Sequence, residues 1–424
     1  LLPVITYAQS AMSLDECIRL AWKQNPSIRN SAINIKEART DYASAIGTFL
    51  PRIVVNAETG KRFGRSIDPD TNGYTEKTFE EGTIGLDMTL SLFEGFSRIN
   101  QVRFRKINRE RSKWELKDRQ NELAYQVTDA YYKLVLERKL LNLALEQSRL
   151  SERYLKQTET FVELGLKSVS DLQEVKARRE GDIYRYQSRA NSCRLSLLHL
   201  EQLMNFQSGD TLVIQDTIVE LNKLPLLSLP STEILYRQSL EVLPAMRMIS
   251  LKQKAARKEY AMAGGGFSPS VYARFTVGSN FYNTAFSARQ LRDNIGKYIG
   301  IGISFPLLSG FERFTNQRKL KLNLYRLKNE EELEKQQLYT EIEQTLLSLR
   351  AGYTEHQQVL QQLSAETLVL KESERKWEEG LISVFQLMEA RNRFISAKAE
   401  LVRVRLQVEM MMKLEKYYRE GTFL

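Results

Sequence analysis

Two rhythms of apolar and polar positions alternate along this chain of 424 residues. From Thr83 to Leu92 the alternation is strict: Ile84, Leu86, Met88 and Leu90 fall on one side, Thr83, Asp87, Thr89 and Ser91 on the other. The run from Tyr298 to Phe305 does the same, with Ile299, Ile301 and Ile303 set against Tyr298, Gly300, Gly302 and Ser304. Ile53, Val55 and Ala57, and then Val271, Ala273, Phe275 and Val277, repeat the pattern less cleanly. A period of two marks a strand with one apolar and one polar face. Four strands are predicted, over about 51–62, 82–92, 269–278 and 297–306.

Elsewhere the period is helical. No proline lies between Asp70 and Leu224, and none follows Pro306. These breaker-poor stretches are rich in Leu, Glu, Lys, Arg and Gln, the residues that cost least in a helix. They predict helices over about 98–163 and 170–204, then 313–378 and 384–418, with turns at Gly165 and Gly380. At 1.5 Å per residue, a helix of about 65 residues is roughly 100 Å long, wider than a single globular core. Such helices must pack side by side in an extended bundle or coiled coil. Another helix opens each half. Ser13-Leu14-Asp15-Glu16 has the spacing of a capping box for a helix running towards Ile46, and a twin runs from Ser231 towards Ala263.

The two halves are copies. Asn25 to Gly60 aligns with Leu243 to Gly278 at an offset of 218, matching Pro26 with Pro244, Tyr42 with Tyr260 and Pro51 with Pro269. At an offset of 215, Gly95-Phe96 meets Gly310-Phe311, and Gly165-Leu166 meets Gly380-Leu381. Such self-similarity makes each half one structural unit of helix, hairpin, long helix and helix. The predicted organisation is a first repeat over 13–204, an insert over 205–230 and a second repeat over 231–424. Residues 1–12 read as the tail of a secretory signal, with a small-residue site near Ala8, or as a disordered N-terminus.

Composition narrows the class. Charged residues are 27% of the chain, and no run of about 18 apolar residues encodes a membrane-spanning helix. The net charge of +10 comes without a nucleic-acid-binding motif. The basic residues gather instead at matched places, from Arg98 to Arg119 and from Arg313 to Lys328. There they face anionic lipid headgroups or pair with Glu110, Glu115 and Asp118. Cys17 and Cys193 make no disulfide framework and read as small apolar helix residues. His199 and His356 are isolated, so no catalytic, cofactor or metal chemistry is expected.

Strands that are apolar on one face fit a membrane β-barrel, but four cannot close one, and an open edge in lipid is prohibitively costly. The barrel must be shared between copies. Two copies give eight strands and a filled interior; three give twelve and an aqueous lumen. The long helices would continue it on one side as a hollow tube. The alternative is a soluble periplasmic coiled-coil scaffold without a pore, which has no use for four amphipathic strands.

Several stretches carry a resemblance over essentially the whole chain. They are Leu14-Asp15-Glu16-Cys17-Ile18 with Asn25-Pro26, Phe49-Leu50-Pro51 entering a strand, Leu92-Phe93-Glu94-Gly95-Phe96 and Leu308-Ser309-Gly310-Phe311 leaving the barrel, and Gly165-Leu166 through Asp171-Leu172 at the turn. In their order and doubling the chain resembles the TolC family of outer-membrane channels. The resemblance implies a mainly α fold with a membrane β part: a homotrimeric twelve-stranded barrel, four strands per chain, continued by a periplasmic α-helical barrel. It implies a passive exit duct in the bacterial outer membrane, reaching into the periplasm. Such a duct serves tripartite efflux or type I secretion with a periplasmic adaptor and an inner-membrane pump. It makes 205–230 an equatorial insert that girdles the tube together with the C-terminus.

The same resemblance suggests site residues. Leu164, Gly165, Leu166, Gly380 and Leu381 would be the tips that dock the adaptor; otherwise the glycines only let the chain reverse. Asp171, Glu174, Gln386 and Glu389 would line a periplasmic constriction. Glu389 matches a family acid, Gln386 stands where another acid is usual, and Ile382 replaces a gate-locking arginine. The competing reading is solvated faces paired with Lys167, Arg178 and Arg393.

Overall fold

The computed structural model describes residues 11–67, 71–76, 78–206, 212–215, 224, 229–308 and 310–424. The signal-like site near Ala8, the Asp68-Pro69-Asp70 loop, Ser309 and most of the 205–230 insert lie outside the described residues. The chain divides into two compact units: Leu1–Ile33, Trp114–Arg247 and Leu333–Leu424 form one, Asn34–Lys113 and Met248–Glu332 the other.

The first half forms α1 (Leu14–Gln24), α2 (Pro26–Gly47), β1 (Arg52–Arg62), β2 (Ser66–Ile67), β3 (Tyr74–Thr75), β4 (Phe79–Glu94), α3 (Ser97–Glu163) and α4 (Val169–Met204). The second forms α5 (Thr232–Val242), α6 (Pro244–Gly265), β5 (Ser270–Asn283), α7 (Ala288–Asp293), β6 (Gly296–Ser304), α8 (Glu312–Glu378) and α9 (Val384–Glu420). The single opening helix expected in each half is two helices. Pro26 and Pro244 lack the N–H that an unbroken helix needs, and proline drives the residue before it out of the helical region. Asn25 accordingly sits at φ −66°, ψ 127°, and Leu243 at φ −69°, ψ 131°. The capping box at Ser13 is formed in full with Glu16. β5 runs past Gly278, because its ladder with β4 continues to the pair Glu80↔Asn283. The polar loop beyond it holds the short helix α7.

Four strands form one antiparallel sheet in the order β1-β4-β5-β6. The register sorts most side chains of its central rows by polarity, with Val54 opposite Asp87 and Lys297 opposite Val277 as exceptions. Val55, Leu86 and Val277 fall in one row, and Met88, Phe275 and Ile299 in another, on the same face. That face is exposed; Ile299 is 82% accessible and Ile303 73%. The opposite face carries a polar cluster. Asp87 Oδ1 accepts from Arg274 and from Thr276, each at 3.0 Å, and Asn56 donates to Asp87 at 3.4 Å. On this face Gly300 and Gly302 leave room for the rings of Tyr298 and Tyr272. β1 and β6 are the outer strands, each paired along one side only among the described residues.

The joint between sheet and helices is built by the duplicated Gly-Phe pair. Gly95 and Phe96, and Gly310 and Phe311, all have left-handed backbones (φ 56°, 64°, 55° and 63°). Two consecutive residues of this kind turn the chain sharply, and phenylalanine tolerates it only under tertiary constraint. At the first joint Arg98 supplies that constraint. Its guanidinium donates to the carbonyls of Thr48 and Ser91, lies 5.0 Å from the Phe49 ring centre and pairs with Glu94 at 3.7 Å. This cation is a latch rather than a lipid contact. Its neighbour Arg105 pairs with Asp41 at 2.6 Å instead of with the acids of its own helix, because α2 lies alongside.

The helical unit is held by a core in which α1, α3, α4 and α9 meet, with Ile18, Tyr131, Leu134, Leu200 and Met204 all but inaccessible. Leu212 and Ile214, from the segment expected to be a girdling insert, are buried in it. Met12 is not a loose leader residue: its N–H donates to Val213 at 2.8 Å and its carbonyl accepts from Gln215 at 2.8 Å. Both cysteines are free; Cys17 is buried in the core, which pushes its thiol up to about 12, and Cys193 packs against the same cluster.

The two joints allow a controlled comparison. A Cβ at Gly95 would stand 2.4 Å from the carbonyl oxygen of Gly265, whereas one at Gly310 meets nothing within 4 Å. Gly310→Ala should therefore cost only the left-handed strain, about 1–2 kcal/mol. Gly95→Ala carries the same strain plus a backbone clash and should destabilise clearly more. Thermal melting of the two purified variants checks the order.

Candidate functional site

The ends of the two long helix pairs are built alike. α3 stops at Glu163, and Gly165 takes φ 75°. The N–H of Leu166 then donates to Phe161 O at 2.8 Å, and that of Gly165 to Val162 O at 3.0 Å. α8 stops at Glu378, and Gly380 takes φ 74°, with Leu381 donating to Lys376 O at 2.8 Å and Gly380 to Trp377 O at 3.0 Å. This is the Schellman closure, in which a left-handed glycine lets two N–H groups reach back to the last helical carbonyls. A Cβ added at either glycine would meet no atom within 4 Å, so conformation and not space selects the residue.

Each reversal is followed at once by a capped helix start. Ser168 Oγ accepts the Asp171 N–H at 3.1 Å, and the Asp171 carboxylate accepts the Ser168 N–H at 3.0 Å and its hydroxyl at 2.8 Å. In the second copy Ser383 Oγ accepts the Gln386 N–H at 3.2 Å and Gln386 Oε1 accepts the Ser383 N–H at 3.0 Å. Asp171 and Gln386 thus occupy the same position of the repeat and perform the same capping task. The bond from Ser168 holds the Asp171 carboxyl below its ordinary 3.8.

Behind the caps, one apolar cluster ties both reversals together. Val175 of α4, Leu370 and Trp377 of α8, and Val384 and Leu387 of α9 are buried in it, with Tyr154 and Phe161 of α3 packed against them. Ile382 packs against this cluster too, so the position where the resemblance implies an arginine is filled by an apolar plug. Two polar ties cross the same region: Arg391 donates to Tyr154 Oη at 3.0 Å, and Arg178 donates to Asn392 Oδ1.

On the outside the tips are apolar. Leu164 and Leu166 are each 66% accessible and Leu381 69%. Val169 and Phe385, which sequence reasoning misses, are equally bare. They lie one and two positions beyond the capping serines, where an inward apolar residue is the simpler expectation; nothing in the local pattern marks them as outward. Of the carboxylates, Glu174 and Glu389 are exposed one turn beyond the cap positions. Glu389 pairs with Arg393 at 3.3 Å, and Arg393 also reaches Glu366 at 3.4 Å. Within one chain, then, Asp171 and Gln386 serve as caps, while Glu174 and Glu389 face solvent.

The difference between the two caps titrates. A carboxylate whose folded value is lowered stabilises fully above its unfolded value and loses that contribution as pH falls through the folded one. The Asp171 cap should therefore loosen below about pH 4, while the Gln386 cap, having no proton to take up there, should not. Hydrogen exchange at 169–172 should accelerate on acidification relative to 384–387. Ser168→Ala should cost about 1 kcal/mol of local stability.

A family model described as outer membrane efflux protein matches residues 17–205 and 235–410. No curated protein matches the chain by sequence. Solved structures match in fold. The channel CusC superposes with a TM-score of 0.82 at 16% identity, covering 96% of this chain and 92% of its own. The CmeC outer membrane channel of Campylobacter jejuni gives 0.80 at 14%, covering 96% and 85%. The outer membrane protein VceC of Vibrio cholerae gives 0.79 at 15%, covering 97% of both chains. With the repeat, the sheet and both capped reversals accounted for over this span, the chain belongs to the outer membrane efflux protein family.

Proposed function

We propose that this protein is the outer-membrane exit duct of a tripartite efflux or type I secretion system, passively conducting substrates delivered by an inner-membrane pump. The observation that carries this reading is the sheet: four strands, an exposed apolar face, a polar face built around Asp87 and Arg274, and two outer strands paired on one side only among the described residues. No helix among the described residues is long and apolar enough to cross a membrane, so a membrane contact falls to these strands. A homotrimer would supply twelve strands with the polar face lining an aqueous lumen. A soluble scaffold would leave Ile299, Ile301 and Ile303 in water, each forgoing roughly 1.5–3 kcal/mol of burial.

The tips are the proposed contact with a periplasmic adaptor. Leu164, Leu166 and Leu381, joined by Val169 and Phe385, give two small apolar knobs at one end of the helical unit. The adaptor would bury them in a complementary helical surface. Leu166→Glu and Leu381→Glu leave the Schellman bonds, which are main-chain, intact. Both variants should fold and assemble as the parent does, and capture of a cognate adaptor from solution should fall at least tenfold. Undiminished capture would reduce the tips to simple reversals.

The proposed periplasmic constriction narrows to Glu174 and Glu389. Asp171 and Gln386 already have partners in their caps, whereas an exposed pair such as Glu389–Arg393 holds its charge only weakly. Symmetry would bring several copies of each carboxylate around one opening, where like charges attract cations. In planar bilayers the parent channel should prefer cations and be blocked by divalent ions from the periplasmic side. Glu174→Gln with Glu389→Gln should remove that block, and Asp171→Asn should leave most of it. Equal block in all three would contradict the assignment.

A further inference from the structure

The two hairpins of the sheet are copies down to the single ladder pair. Moving β1 by 218 positions and β4 by 215 carries Arg52↔Thr89 onto Ser270↔Ser304, and Gly60↔Glu81 onto Gly278↔Gly296. Every pair between them also falls on its image, so β5–β6 repeats β1–β4 in register as well as in direction. The β4–β5 ladder lies between the copies and shows how two such hairpins dock side by side.

The same two shifts turn that ladder into one between β6 and the β1 of a second copy. Ile84↔Ser279 becomes Ile299 facing Lys61, Leu86↔Val277 becomes Ile301 facing Thr59, and Met88↔Phe275 becomes Ile303 facing Ala57. Ile301 and Ile303, like Ala57 and Thr59, already lie on the apolar face through their own ladders. The faces therefore match across the seam, whereas a slip of one residue would set apolar against polar.

A glycine pair marks the same register. Gly85 faces Gly278 inside the chain, where a Cβ on Gly278 would stand 3.2 Å from Ile84 O and 3.5 Å from Gly85 Cα. Their counterparts are Gly300 and Gly60. Nothing in its own chain requires glycine at Gly60: its backbone is not left-handed, and an added Cβ would meet no atom within 4 Å. Glycine inside a strand weakens it and marks a close approach of another backbone. At Gly278 that backbone is β4; at Gly60 it would be β6 of a second copy. The clasp of Asp87 with Arg274 and Thr276 is not repeated, since Gly302, Asn56 and Glu58 hold the matching places. Main-chain bonds and the glycine pair are left to set the seam.

We propose that β6 of one copy and β1 of the next form an antiparallel ladder in which Ile303 faces Ala57, Ile301 faces Thr59 and Gly300 faces Gly60. This rests on reading the sheet as a share of a common barrel and adds the residue pairing at its seam.

The test is oxidative cross-linking of the full chain in a mild non-ionic detergent, with copper phenanthroline as oxidant and denaturing, non-reducing electrophoresis as readout. Two variants carry facing pairs: Ile303→Cys with Ala57→Cys, and Ile301→Cys with Thr59→Cys. Within one chain β1 and β6 lie three strand spacings apart, roughly 14 Å, too far for a disulfide. Facing Cα atoms across a ladder are roughly 4.5–5.5 Å apart and within disulfide reach, whereas pairs shifted by two residues stand roughly 7–8 Å apart and fall outside it. Both facing variants should give covalent dimers and trimers, roughly tenfold more than Ile303→Cys with Val55→Cys or with Thr59→Cys. The parent, with its free Cys17 and Cys193, is the blank. Native mass measurement before oxidation counts the chains in each variant, and either facing pair decides if the other variant does not assemble. Stronger cross-linking in a shifted pair, or none from a facing pair in a particle that still holds three chains, would overturn the register and leave the duct reading standing. A particle of one chain would overturn both.

Discussion

Backbone hydrogen bonding at the sheet edges governs the rest of this molecule. Among the described residues, β1 and β6 each have a row of N–H and C=O groups with no strand beside them, and the sheet's exposed face is a field of isoleucine and valine. In water the apolar face is unfavourable; in hydrocarbon each unpaired backbone group costs roughly 2–7 kcal/mol. Only closure against further strands relieves both at once. Everything downstream follows from making a curved wall out of identical pieces: a duplicated chain, paired long helices and joints that turn the strands into those helices.

The duplication shows how closure can be achieved with little new invention. The β4–β5 ladder, from Glu80↔Asn283 to Glu94↔Ser270, joins the last strand of one repeat to the first strand of the other. A contact between β6 and the β1 of a second copy would be the same kind of junction, antiparallel and between the same members of the repeat. The chain already contains one specimen of the interface it needs. The same economy governs the helix reversals, where two Schellman closures and two capping boxes recur at matched positions, differing chiefly in aspartate against glutamine. The Schellman bonds are main-chain and do not depend on the charge pattern of the tips, whereas the cap at Asp171 does.

Most of this architecture is legible in the residues. Strict alternation marks β4 and β6, the lack of breakers marks α3 and α8, and Gly165 and Gly380 mark both reversals. What escapes has physical causes. Pro26 stands out as a landmark of the repeat, which hides its second role as a helix breaker, so α1 and α2 look like one element. Gly278 looks like a strand end, although its place opposite Gly85 lets two strands approach closely. The resemblance makes Asp171 and Gln386 look like pore residues, yet their spacing from Ser168 and Ser383 is the capping-box spacing evident at Ser13. The outward turn of Val169 and Phe385 depends on neighbours in other helices, which no local pattern records.

In the proposed duct, four strands per chain close only in company, and three chains do it. Native mass spectrometry of the protein released from a mild detergent measures this directly. A particle of three chains is expected, persisting when the long helices alone are loosened by dilute denaturant. A stable monomer or dimer, with β1 and β6 unpaired or sealed in some other way, would contradict it.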